Sequence, residues 1–165
     1  MGKKATKAAD NVYYIARDQA TALNGGFESR EKTSELIGID RTKLARIELG
    51  TVTPYPEEVL MMANAYKAPE LCNLYCAKEC PIGKTTIQPI ELDDFDRLAL
   101  KVLGSLKDIE KLKSELIAIA EDGVISDDEH EDFYAVLKEL QKISMNAQAL
   151  QLWAKKHIDK IISNK

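Results

Sequence analysis

The 165-residue sequence has few of the features on which membrane proteins, disulfide scaffolds and common enzymes depend. No apolar run reaches the roughly 18 residues that a membrane-spanning helix needs, so we expect no membrane association. Three cysteines do not make a disulfide framework, and the basic N-terminus has no apolar stretch behind it, so we expect a cytoplasmic protein. The two histidines lie far apart, and no nucleophile–base pattern indicates an enzyme.

Charge is unevenly divided along the chain. The formal net charge is −4, but residues 1–86 have a net charge of +1 and residues 87–165 a net charge of −5. The change falls in a Pro-, Gly- and Thr-containing stretch between Pro81 and Pro89. We therefore predict four regions: a flexible basic arm over 1–11, a DNA-binding domain over 12–84, a linker over 85–91 and a helical hairpin over 92–165.

The first half predicts short helices and no strands, because no alternating apolar pattern occurs in it. Ser29 and Asp40 are suited to cap helix N-termini, and Gly38 and Gly50 to end helices. The predicted helices cover residues 12–23, 30–37, 41–49, a segment from the Pro54 and Pro56 region to about 67, and 69–79.

The second half predicts two long helices. Apolar residues recur every three or four positions over 92–120 and again over 133–161, with a break at 121–123. Together they suggest an antiparallel, coiled-coil-like two-helix hairpin. Such a hairpin cannot bury both of its apolar seams by itself. We expect it to form a homodimer; binding another protein and packing against the first half are the alternatives.

The most informative segment is 29–50. Leu36, Ile37 and Ile39 form an apolar corner, small Ser34 allows close approach of two helices, and Gly38 allows a sharp turn. This pattern is typical of two helices that cross steeply through a short connection.

The segment resembles the Cro/λ-repressor-type (XRE) helix-turn-helix family. The similarity includes the capping residues, the glycine turn and the ending Ile47-Glu48-Leu49-Gly50, and it covers about residues 12–71. It implies a five-helix λ-repressor-like domain whose third helix enters the DNA major groove. It also implies an ion pair between Arg17 and Glu48. The expected function is sequence-specific transcriptional regulation of a bacterial or phage type, most commonly repression.

The third helix carries three cations in six residues. Because arginine can bind guanine through two hydrogen bonds, we predict that Arg41, Thr42 and Arg46 read bases and that Lys43 contacts phosphate. The family resemblance implies phosphate contacts for Ser29 and for Arg30, which stands where the family usually has Gln. Further backbone contacts are expected from Thr51 and Thr53, and groove contacts from the arm residues Lys3, Lys4 and Lys7.

Other interpretations remain open. The same cations are also typical of a solvated helix face, and the chain would then be a helical interaction or assembly module, such as an adaptor or antitoxin, without specific DNA binding. Cys72, Cys76 and Cys80 are spaced four apart, but Pro81 disrupts helical geometry at Cys80, so we expect buried or half-buried thiols and no metal site. No cofactor is expected.

Overall fold

The computed structural model describes residues 8–120, 125–127 and 129–162, with side chains described as far as residue 158. Within these residues the chain is helical and has no strand, which confirms the all-α expectation. No helix among them is both long and apolar enough to span a membrane. The chain divides into two compact units, residues 1–89 and residues 90–165. The arm residues Lys3, Lys4 and Lys7 and the predicted turn at 121–123 lie outside the described residues.

Six helices and a short 3-10 turn form the described part of the N-terminal unit. They are α1 (Val12–Ala20), the 3-10 turn (Gly25–Phe27), α2 (Arg30–Ile37), α3 (Arg41–Glu48), α4 (Pro56–Tyr66), α5 (Glu70–Lys78) and α6 (Gly83–Thr86).

The bounds of α2 and α3 follow from their capping residues. The Ser29 hydroxyl accepts the Lys32 N–H at 3.3 Å, and the Asp40 carboxylate accepts the Lys43 N–H at 2.9 Å. Gly38 ends α2 with φ of +73°, a conformation that residues with a Cβ rarely adopt. The predicted range of α2 is confirmed, and α3 ends one residue earlier than predicted.

The region before α2 differs from the sequence prediction. Helix α1 ends at Ala20 instead of residue 23, because Asn24 starts a separate turn by accepting the Gly26 N–H at 2.8 Å. This turn buries Phe27 in the core. At the other end of α1, Ala8 is buried and Asn11 caps the helix, so ordered structure reaches into the predicted arm.

The core of the N-terminal unit lies between α1, α3, α4 and α5. Its least exposed large apolar side chains are Leu44, Ile47, Val59, Met62 and Leu71. Burying each of them contributes about 1.5–3 kcal/mol relative to exposure. Because Leu44 and Ile47 anchor one side of α3 in this core, the opposite side of that helix faces solvent.

The C-terminal unit corrects the two-helix prediction. Its helices are α7 (Phe95–Ser105), α8 (Ile109–Ala120) and α9 (His130–Ile162), so the first predicted helix is interrupted at residues 106–108. Gly104 is a poor helix former, and the Ser105 hydroxyl donates back to the Val102 carbonyl at 2.8 Å. Both features favour an end to the helix here, although the apolar spacing continues through it.

Two separate apolar clusters hold the C-terminal unit together. Leu98 of α7 packs with Ile90 and Ala149, and Leu112 and Ile119 of α8 pack with Val136. Helices α7 and α8 thus contact different parts of α9. Several large apolar side chains of this unit stay more than 60% exposed, namely Leu100, Leu103, Ile117 and Tyr134.

Short helix α6 was not predicted, and it depends on Gly83. A Cβ on Gly83 would lie 2.1 Å from the Cys76 carbonyl oxygen, so only glycine permits this approach of α6 to α5. We expect Gly83→Ala to destabilise the N-terminal unit by about 1–3 kcal/mol, since overpacking forces backbone shifts. Urea denaturation followed by near-UV circular dichroism of tyrosine measures this, because five of the six tyrosines lie in residues 1–89.

Gly25→Ala is the matched control for this prediction. A Cβ on Gly25 would meet no atom within 4 Å. If both variants lose the same stability, the close approach of Gly83 to Cys76 is not the cause.

Candidate nucleic-acid interface

A buried ion-pair cluster orients α3. The Glu48 side chain, at the end of α3, is fully buried and accepts hydrogen bonds from Arg17 Nε at 2.5 Å and Arg30 Nε at 2.6 Å. Arg17 also donates to the Phe27 carbonyl at 2.7 Å. These charge-assisted bonds join α1, α2, α3 and the 3-10 turn. The predicted pairing of Arg17 with Glu48 is confirmed.

The charge of Arg17 is secured within this cluster. Burial by itself lowers the pKa of Arg17, but the hydrogen bond and the negative charge of Glu48 raise that pKa above its ordinary value. Arg17 therefore remains a cation and compensates the buried carboxylate.

Arg30 has a structural contact that the sequence did not predict. Its Nε donates to Glu48, and its side chain is 28% exposed. Arginine can reach this carboxylate from the first position of α2. Arg30 therefore combines an internal ion pair with a partly exposed guanidinium, and is not wholly available to a ligand.

Of the eight contact residues predicted between positions 29 and 53, four line one concave surface. This groove of about 510 Å³ lies where the N-terminal ends of α2 and α3 meet. Its lining consists of Ser29, Arg30, Glu31, Arg41, Thr42 and Ala45. Backbone N–H groups at helix N-termini carry partial positive charge, so both helix ends favour an anion, while Glu31 opposes it.

The exposed side of α3 extends beyond this groove. Arg41, Thr42 and Arg46 are exposed, and Thr42 and Arg46 are one helical turn apart. In the part of the chain that the structure describes, neither Arg41 nor Arg46 forms an ion pair. Both guanidinium groups are therefore available for hydrogen bonds to a ligand.

The two threonines that were predicted to contact the DNA backbone have partners within the protein. The Thr51 hydroxyl donates to the Arg46 carbonyl at 3.1 Å, and the Thr53 hydroxyl donates to the Glu79 carboxylate at 3.5 Å. Both side chains are exposed, but neither belongs to the groove lining.

Lys43 contacts two residues that the sequence did not predict as its partners. Its ammonium lies 2.6 Å from a Glu58 carboxylate oxygen and 4.0 Å from the centre of the Tyr55 ring. Glu58 lies in the first turn of α4, where an acid also suits the positive end of the helix. Nothing in the linear pattern links it to Lys43, which is 15 positions away.

The three cysteines lie in or just after α5. All are half-buried thiols, as predicted. The Cys80 sulfur accepts the Gly83 N–H at 3.5 Å. Over the described ranges, no cluster of three or more His, Cys, Asp or Glu side chains is arranged to hold a metal ion.

Comparison with known proteins identifies no relative. No family model, no curated protein and no solved structure matches the chain. The helix-turn-helix interpretation of residues 12–71 therefore stays a prediction.

The buried cluster predicts a graded loss of stability. Glu48→Gln should destabilise the N-terminal unit by about 3–5 kcal/mol, because Arg17 is left as an uncompensated buried cation. Arg30→Gln should cost no more than about 1 kcal/mol, since that side chain is partly exposed. Urea denaturation monitored by tyrosine near-UV circular dichroism gives both values.

Glu35→Gln, on the exposed side of α2, is the control for loss of one carboxylate. A Glu48→Gln protein as stable as this control would contradict the structural role of the cluster.

Proposed function

We propose that the N-terminal unit binds double-stranded DNA sequence-specifically and that the chain is a transcriptional regulator of bacterial or phage type, most simply a repressor. One observation supports this above the others: the exposed residues Arg41 and Thr42 share a groove with Ser29 and Arg30, at the meeting of two helix N-termini. An α-helix fits the major groove, and helix N-termini suit phosphates.

In this proposal, the exposed side of α3 reads the bases. Arg41 and Arg46 donate paired hydrogen bonds to guanine, and Thr42 contacts an adjacent base edge. Ser29, the first N–H groups of α2 and the exposed part of Arg30 bind phosphate and set the position of α3 on the duplex. Thr51 and Thr53 are secondary backbone contacts.

The proposed assembly is a homodimer formed through the C-terminal unit. The large exposed apolar side chains of α7 and α8 supply surface that association would bury. A twofold dimer presents two copies of α3 to half-sites about 34 Å apart on one face of the duplex.

The second candidate function is a helical interaction or assembly module without specific DNA binding. It is favoured by the acidic C-terminal half, with net charge −5 over residues 87–165, and by the exposed apolar residues there. Binding to duplex DNA at physiological salt, with an affinity that falls steeply as salt is raised, discriminates between the two functions, because contacts with phosphates release condensed counterions.

Selection from a random duplex pool by the full chain tests the DNA proposal directly. The expected product at physiological salt is an inverted repeat, which reports both sequence preference and twofold symmetry. A pool without enrichment, together with binding that is insensitive to salt, contradicts the DNA proposal and favours the assembly function.

Single substitutions on α3 test the assignment of base contacts. Arg41→Ala and Arg46→Ala should each weaken binding to the selected site by about 1–3 kcal/mol and relax preference at one base pair. Titration of the selected duplex and its single-base variants measures both effects. Lys32→Ala, an exposed cation on α2 outside the groove lining, should keep the base preferences unchanged. If both arginine variants retain full affinity and specificity, the base-reading assignment is wrong.

A further inference from the structure

Lys43 is held by an anionic and an aromatic partner at once. Glu58 approaches its ammonium at 2.6 Å, and the ring of Tyr55 lies 4.0 Å from it. The Lys43 side chain is only 30% exposed. A lysine with both contacts loses much of its freedom to follow a phosphate, because ion pairing and the negative face of the ring both stabilise the ammonium where it is.

Glu58 is itself held in place. One carboxylate oxygen contacts Lys43, while the other accepts the Tyr55 backbone N–H at 2.8 Å, as part of the cap of α4. The side chain is 14% exposed. Because α4 is anchored in the core through Val59 and Met62, the carboxylate is fixed relative to α3.

The neighbouring cations of α3 are different. Arg41 and Arg46 are exposed and form no ion pair with any residue in the described ranges. Along one helix of eight residues, the structure thus separates two available guanidinium groups from one ammonium that is already neutralised.

We propose that Glu58 and Tyr55 hold Lys43 back from DNA phosphates, so that α3 meets the duplex with its two arginines and without this lysine. The proposal rests on the DNA-binding function proposed above. Glu58 and Tyr55 are positioning residues in it, since they act on binding through Lys43. It replaces the sequence-based assignment of Lys43 to phosphate.

The consequence is a smaller sequence-independent affinity. Each phosphate neutralised by a cation contributes about 0.9 to the slope of log K against log salt. Withholding Lys43 removes one such contribution per subunit, while the hydrogen bonds of Arg41 and Arg46 to bases are unaffected. Affinity for specific and random duplexes falls alike, so the hydrogen bonds to bases supply a larger share of the binding free energy.

The test measures the affinity of the full chain for a selected duplex and for a random duplex between 50 and 200 mM KCl. The slope of log K against log salt is taken for each duplex. Glu58→Gln keeps an oxygen for the Tyr55 N–H and removes the charge that holds Lys43. We expect the slope to steepen by about 0.9 per subunit on both duplexes, so that the affinity gain over wild type changes about 3.5-fold per subunit across this range, or about 12-fold for a dimer. Lys43→Gln alone should leave the slope unchanged. In the double variant, which combines Lys43→Gln with Glu58→Gln, the affinity gained by Glu58→Gln should be abolished.

Glu57→Gln is the matched control, since Glu57 is an exposed acid in the same first turn of α4. It measures the general effect of removing one negative charge. Thermal denaturation checks that each variant folds, and Lys43→Gln tests the proposal by itself if Glu58→Gln does not fold.

Two results would show that Lys43 is not held back, while leaving the DNA-binding proposal intact. In the first, Lys43→Gln alone flattens the slope of log K against log salt by about 0.9. In the second, the affinity gained by Glu58→Gln persists in the double variant. Salt-insensitive binding, or no binding, by the wild-type chain on every duplex overturns the proposed function and this inference together.

Discussion

The buried Glu48 carboxylate connects three helices of the N-terminal unit. Moving a carboxylate out of water costs several kcal/mol, and this cost is offset only when its hydrogen-bonding capacity is filled. Arg17 approaches both of its oxygens, and Arg30 approaches one of them. Because the three residues come from α1, α2 and α3, satisfying one charge also fixes the relative placement of three helices. The face that α3 turns to solvent is thus determined from inside the fold.

The same cluster reaches the turn before α2. Arg17 donates to the Phe27 carbonyl at 2.7 Å, and the Phe27 ring meets Tyr66 edge-to-face with 5.3 Å between centroids. A polar contact therefore holds the backbone of Phe27, and an aromatic contact holds its side chain. This arrangement places Ser29, the cap of α2, at the edge of the groove.

Sequence reasoning succeeded where structure is decided locally. Ser29, Gly38 and Asp40 act on the residues beside them, so the bounds of α2 and α3 could be predicted from capping chemistry. It failed where distant residues compete: the contacts of Arg30 with Glu48 and of Lys43 with Glu58 join positions 18 and 15 apart and depend on how helices pack.

The helix break in the C-terminal unit shows another limit of sequence patterns. Apolar spacing reports which side of a segment is buried, but it carries no information about continuity of the backbone. Leu98 and Leu112 keep the same period on either side of residues 106–108, yet they belong to different clusters. Gly104 and Ser105 favour a helix end at this position, but the continuous apolar spacing predicted a single helix instead.

The internal ion pairs change how the charge of the chain should be interpreted. Of the five cations on α2 and α3, Arg30 and Lys43 have carboxylate partners within the fold, whereas Lys32, Arg41 and Arg46 do not have one in the described part. A count of basic residues therefore overstates the positive electrostatic field that acts on a duplex. In the proposed complex, affinity then depends on hydrogen bonds from two arginines more than on total charge. The net charge of −5 on residues 87–165 acts in the same direction, because phosphates repel that half of the chain and discourage binding through it.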